Sequence, residues 1–143
     1  MKTVVVLSLD VGVHTGWAVI RKHDHEILGC GVLLIDDLGC YLDLTIRWLN
    51  TAGYTTEAVV EKMPSVGGIG ELSTVLEYAR KTTEYWLTEV YAITPVYILP
   101  GTWKTSRVAI TTKLPTEWGG HILSQHEKDA VLMAMYYAGR GDK

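Results

Sequence analysis

Three carboxylates and one imidazole stand where they could do metal-assisted chemistry. Asp10 closes the β-branched run Thr3–Leu9 and leads into Val11-Gly12, a strand end entering a tight turn. Glu61 ends a second apolar run, Val59-Val60-Glu61. His126 and Asp129 open an apolar helical segment three positions apart. That spacing amounts to roughly 300° of helical rotation, so the two lie about 60° apart on one face, while Glu127 points elsewhere. Carboxylates are hard oxygen donors suited to Mg²⁺-like ions, and an imidazole can join them or carry a proton. Each residue also has a plainer reading: Asp10 caps a turn, Glu61 is solvated, and His126 and Asp129 are polar dressing at a helix start. The Asp-x-Gly pattern has a further use, because a glycine turn lets backbone N–H groups approach a phosphate.

The elements that must position these groups follow from periodicity. Thr3–Asp10, Gly16–Arg21 and Glu26–Ile35 read as three short strands in an antiparallel meander. Leu38, Leu42, Thr45, Ile46 and Leu49 recur with helical spacing, and Asn50–Gly53 supplies a stop. Ala58–Met63 is a further strand, followed by the glycine-rich loop Pro64–Gly70. A long helix spans about Leu72 to Val90, with a core stripe of Leu72, Val75, Leu76, Ala79, Thr83, Trp86, Leu87 and Val90. Thr94–Leu99 is the fifth strand. Gly101–Gly120 is irregular, since Pro115 and Gly119-Gly120 prevent a continuous helix, and Gln125–Ala138 is the last helix. The order βββαβαβα predicts an α/β fold with a five-stranded mixed sheet and helices on both faces, because the later strands need crossover connections.

Composition bounds the class. The chain has 143 residues, 48% of them apolar and 20% charged, which suits one folded domain over residues 1–143 and argues against disorder. Its early apolar run is too short to span a bilayer or serve as a secretory core, so a cytoplasmic protein is expected. Cys30 and Cys40 lack metal-site spacing and are expected to be reduced, buried thiols. The net charge of −3 opposes phosphate binding, since affinity for nucleic acid comes largely from Lys and Arg. Bound divalent cations would offset it, and Gly101–Pro115 carries Lys104, Arg107 and Lys113 without one acid.

The segment Leu9-Asp10-Val11-Gly12-Val13-His14-Thr15-Gly16-Trp17-Ala18 resembles the strand-turn-strand opening of RuvC-type resolvases, a branch of the RNase H-like superfamily. Actin-like ATPases share the Asp-x-Gly turn, but they need two such lobes and this length supplies one. Val59-Val60-Glu61-Lys62-Met63-Pro64 and His126-Glu127-Lys128-Asp129-Ala130 resemble the family's second and third ligand segments. Pro100-Gly101-Thr102-Trp103-Lys104 looks like the stretch that brings a lysine toward the scissile phosphate. The resemblance spans nearly the whole chain, although Ile110–Leu123 is shorter and less regular than the family pattern.

This resemblance implies a Holliday junction resolvase: a Mg²⁺- or Mn²⁺-dependent endodeoxyribonuclease with two ions about 3.5–4 Å apart in each active site. Asp10 would bridge both ions, Glu61 and Asp129 would flank them, and His126 would be a ligand or proton carrier. Lys104 would neutralise phosphate charge, or would be a surface lysine beside a buried tryptophan. Arg107 and Lys113 would contact duplex phosphates or be ordinary surface charge, and Val66 and Ile69 would enter the junction centre as apolar wedges where other members place an aromatic. A homodimer formed through the long helix, which carries Tyr78, Arg80, Tyr85, Trp86 and Glu89, would present paired sites to the two-fold junction. Trp118, Tyr136 and Tyr137 are expected to pack in or beside the core. The competing expectations are a less selective nuclease for flaps and other branched DNA, a non-catalytic RNase H-like nucleic-acid-binding module, and a nucleotide-binding regulator.

Overall fold

Alternation along the strands decides which side of the molecule each functional group faces. The computed structural model describes residues 2–62 and 71–139. Strands β1 (Val4–Asp10), β2 (His14–Arg21) and β3 (Ile27–Leu34) form the expected antiparallel meander. A 3₁₀ turn at Ile35–Asp37 enters helix α1 (Leu38–Thr51), which is followed by β4 (Thr55–Glu61). Helix α2 (Glu71–Glu84) widens into a π-helical segment, Tyr85–Val90, before β5 (Val96–Ile98). The sheet order is β3-β2-β1-β4-β5, with β4 parallel to both β1 and β5. Two antiparallel and two parallel pairings make the mixed sheet that the element order predicts.

The segment Gly101–Gly120, expected to be irregular, is more structured than that. It carries most of α3 (Pro100–Lys104), all of α4 (Arg107–Thr111) and the start of a hairpin formed by β6 (Glu117–Trp118) and β7 (His121–Ile122). Pro100 begins α3, where its missing N–H costs nothing, and the Ser106 hydroxyl accepts the Ala109 N–H to cap α4. Gly119 and Gly120 both have positive φ, which the hairpin turn needs. Helix α5 (Gln125–Gly139) completes the chain.

Helices cover both faces of the sheet. Val5, Leu7 and Leu9 of β1 pack with Leu38, Leu42, Ile46 and Leu49 of α1 and with Ala79 and Leu87. Burying each such leucine or isoleucine contributes about 1.5–3 kcal/mol. On the opposite face Val6, Ile20 and Val59 meet Met133, Ala134 and Ala138 of α5, together with Trp103. Tyr136 and Tyr137 pack against this second cluster, and Trp118 packs against a third around Ala18, Cys30 and Leu123.

Two expectations about burial need correction. Val90 is exposed instead of closing the core stripe of the long helix, because the π-helical segment changes the angular phase that the stripe assumed. Cys40 is exposed, whereas Cys30 is buried as expected, and both are free thiols. Cys40 lies midway between the buried Leu38 and Leu42 on α1, which turns it outward at about 100° per residue. Burial pushes the Cys30 thiol up to about 12, with Glu127 adding to the effect.

Candidate active site

The parallel pairing of β1 with β4 brings the first two carboxylates together. Leu9 is opposite Val60, so Asp10 and Glu61 follow at the C-terminal ends of neighbouring strands, about 4.8 Å apart in backbone spacing. Their parity is that of Val6 and Val59, which face α5. The carboxylates therefore point to the α5 side, at the strand ends where open α/β sheets commonly hold ligands. The turn after Asp10 is held by Thr15, whose Oγ1 donates to the Gly12 carbonyl at 3.3 Å and accepts the Gly12 N–H at 3.4 Å. This leaves the Asp10 side chain for other partners.

Helix α5 supplies the rest. Ser124 and Glu127 form a reciprocal cap: the Ser124 hydroxyl accepts the Glu127 N–H at 3.2 Å and Glu127 Oε1 accepts the Ser124 N–H at 3.0 Å. The Ser-x-x-Glu spacing is a legible signal for this helix start. The first turn then rests on β2 at Gly16, where a Cβ would lie 2.3 Å from the His126 carbonyl oxygen. At this separation His126 Nδ1 is 3.7 Å from Asp10 Oδ2. Asp129 is close enough for its charge to act on Asp10, and it accepts the Gln125 amide N–H at 2.7 Å. His14 stacks beside His126 with ring centroids 6.3 Å apart. Gly16, Gln125 and His14 had no site role in the sequence pattern, because spacing shows neither a backbone approach nor a partner from another strand.

The electrostatics are those of a crowded anionic pocket. Burial raises the Asp10 carboxyl, and Asp129 adds to that, while contacts with Glu61 and His126 act in the opposite direction. Burial also raises Glu61, with Asp10 adding, against the opposing Trp103 N–H and Lys104 charge. A partly buried carboxylate pair pushed upward in this way is a set of hard donors that a divalent cation would relieve. A group whose folded pKa is raised stabilises the fold below its unfolded pKa and loses that contribution as pH rises through the folded value. Glu61→Gln should therefore stabilise the metal-free protein at pH 7 by about 0.5–2 kcal/mol. The gain should vanish below the ordinary value of 4.5. Thermal melts in chelator at pH 7 and pH 4 measure it, and a destabilised variant at pH 7 would contradict the repulsion.

Trp103 is the partner that residue spacing missed. It is buried after β5, and its Nε1–H donates to Glu61 Oε2 at 2.8 Å; a buried indole N–H generally needs such an acceptor. Lys104 is exposed beside it, with Nζ 5.4 Å from the Trp103 ring, and its charge acts on Glu61. Both features of the Lys104 expectation thus coexist, a surface lysine beside a buried tryptophan and a cation at the site edge. Trp103→Phe removes the donor that holds Glu61 down, so the acid limb of any metal-dependent activity should move to higher pH. Stability should fall by about 1.5–3 kcal/mol, as for loss of a hydrogen bond to a charged group. A pH–rate profile beside a thermal melt checks both effects.

Arg107 and Lys113 are exposed, on α4 and just after it. Val66 and Ile69 lie outside the described residues. On the α2 side of Glu61 is a cavity of about 290 Å³ lined by Val11, Val60, Arg80, Thr83 and Tyr97 among others.

Comparisons with known proteins place the architecture. No family model and no curated protein sequence matches the chain. Among solved structures, RuvC of T. thermophilus in complex with Holliday junction substrate superposes with a TM-score of 0.69 at 14% identity, covering 97% of this chain and 95% of that one. A second Thermus thermophilus RuvC structure gives 0.68 at 14% identity, covering 96% of each chain. The chain thus has the fold of these RuvC structures over nearly its full length.

Proposed function

We propose that this protein is a divalent-metal-dependent endodeoxyribonuclease that resolves four-way DNA junctions by paired nicking, acting as a homodimer in the cytoplasm. The observation that carries the reading is the convergence of Asp10, Glu61, His126 and Asp129, from two strands and one helix, on one partly buried anionic pocket. Asp10, Glu61 and Asp129, with His126 as ligand or proton carrier, would hold a pair of Mg²⁺ or Mn²⁺ ions. Such ions, when bound, lower the pKa of a coordinated water and neutralise charge on the reacting phosphate.

The chain's own groups have distinct tasks in this reading. Asp10 sits at the centre, within reach of both Glu61 and His126. Trp103 favours the ionised form of Glu61 and orients it, and Gln125 orients Asp129. The His126 side chain is about half exposed (52%), which suits a group that exchanges protons with a water or the leaving oxygen. Lys104 stands at the rim to meet phosphate charge, and Arg107 and Lys113 extend a basic track free of acids. Exposed Tyr78 and Tyr85 on the α2 side offer aromatic surface for a second copy.

The test is a cleavage assay with labelled four-way, flap and linear DNA in Mg²⁺, Ca²⁺ and chelator. Paired nicks in the four-way junction with Mg²⁺ alone support the proposal. Equal cutting of flaps and junctions would favour a less selective branched-DNA nuclease, a reading supported by the absence of any aromatic residue from Pro64 to Gly70. No cleavage of any substrate would favour a binding module.

A further inference from the structure

On the other flank of α5, away from the anionic pocket, three side chains of different chemistry meet. Cys30 of β3, His121 of β7 and Glu127 of α5 place a sulfur, a ring nitrogen and a carboxylate oxygen all within 4.8 Å of one another. Glu127 precedes Asp129 by two positions, so their side chains diverge by roughly 200° around the helix. Cys30 and Glu127 are buried, whereas the His121 side chain is 43% exposed. His121 Nε2 lies 2.5 Å from Glu127 Oε2.

We propose that Cys30, His121 and Glu127 form a second metal site, for a thiophilic or borderline cation of the Zn²⁺ class. Thiolate, imidazole and carboxylate together match Zn²⁺ and Co²⁺, and the sulfur disfavours Mg²⁺. Bond lengths of about 2.0–2.3 Å require the three donor atoms to stand roughly 3.3–3.8 Å apart. The donors are therefore close enough to close on an ion, provided that His121 swings off Glu127 by roughly 1 Å. The exposed imidazole gives an entry path, and a water can fill the fourth position. As the S–Zn bond forms, the Cys30 thiol releases its proton to solvent, and the His121 ring presents a bare Nε2 with its proton on Nδ1.

The three ligands come from three elements, so the ion would staple the small β6–β7 hairpin to the sheet and to the first turn of α5. The hairpin otherwise reaches the body through the His121–Glu127 contact and through Trp118, with the flanking Leu114 and Leu123, around Ala18 and Cys30. The site stands independently of the nuclease reading, because none of its ligands belongs to the catalytic group.

The test uses the full chain with Mg²⁺ present throughout. Co²⁺ titration should give a thiolate-to-cobalt charge-transfer band in the near ultraviolet, saturating at one equivalent and bleached by Zn²⁺. Cys30→Ser should abolish the band, and His121→Gln, at an exposed position that leaves the core intact, should weaken Co²⁺ binding at least tenfold. Cys40→Ser and Asp10→Asn should leave the band unchanged, which separates this site from the exposed thiol and from the oxygen-donor pocket. Zn²⁺ well above its dissociation constant should raise Tm by about 5 °C or more in the wild type, and by much less in Cys30→Ser. The absence of a band at millimolar Co²⁺, its survival in Cys30→Ser, its loss in Cys40→Ser, or equal Zn²⁺ stabilisation of both proteins would overturn the proposal.

Discussion

Replacing Asp10 by Asn should lower the rate of four-way junction cleavage by about 1,000-fold or more while leaving junction binding within a few-fold of wild type. Metal ions supply several kcal/mol of charge stabilisation at a reacting phosphate, and each 1.36 kcal/mol is worth about tenfold in rate. Asp10 is the residue on which the others converge: Glu61, His126 and Asp129 all act on its carboxyl. Asparagine keeps the shape and removes the charge, so the fold should survive. The anionic pocket also becomes less repulsive, so the metal-free variant should melt no lower than wild type. Single-turnover cleavage in Mg²⁺ and gel-shift binding in Ca²⁺ measure the two effects separately. Cleavage within tenfold of wild type would remove Asp10 from the reaction.

Gly16→Ala carries the second large effect, and it acts through backbone geometry. The added methyl would stand 2.3 Å from the His126 carbonyl oxygen, 2.7 Å from its carbonyl carbon and 2.9 Å from its Cβ. Two of those atoms belong to the helix backbone and cannot swing aside as a flexible side chain would. The first turn of α5 must therefore move off β2. Overpacking of this kind costs about 1–3 kcal/mol, which lowers Tm by roughly 3–10 °C. A displacement near 1 Å can also reduce catalysis about 100-fold, because His126 and Asp129 ride on that turn. Melting curves with cleavage rates taken well below Tm distinguish misplacement from unfolding. A variant with wild-type Tm and activity would contradict the packing of α5 on Gly16.

The two halves of the candidate site were legible to different degrees. His126 and Asp129 could be placed on one face before any fold was known, because both ride on a single helix whose rotation per residue is constant. Asp10 and Glu61 could be recognised only as strand ends, since their adjacency depends on β4 pairing parallel with β1. Trp103 read as a buried aromatic beside a lysine; its hydrogen bond to Glu61 spans 42 positions and has no local signature. The π-helical segment at Tyr85–Val90 shows the reverse failure, where a helical stripe extrapolated at constant phase carried Val90 into the core although it is exposed.

From the order of its apolar runs alone, the chain determined the five strands of its main sheet, its long helices, the mixed sheet and the parity that puts polar groups at strand ends, but not the hairpin and short helices between Gly101 and Gly120. These properties follow from local periodicity, which side-chain sequence encodes directly. Which strand ends became neighbours, how closely α5 could approach β2, and which partners orient Glu61 and Asp129 were decided by tertiary packing. Such contacts join residues distant in the chain, and their distances depend on the summed shapes of everything between them.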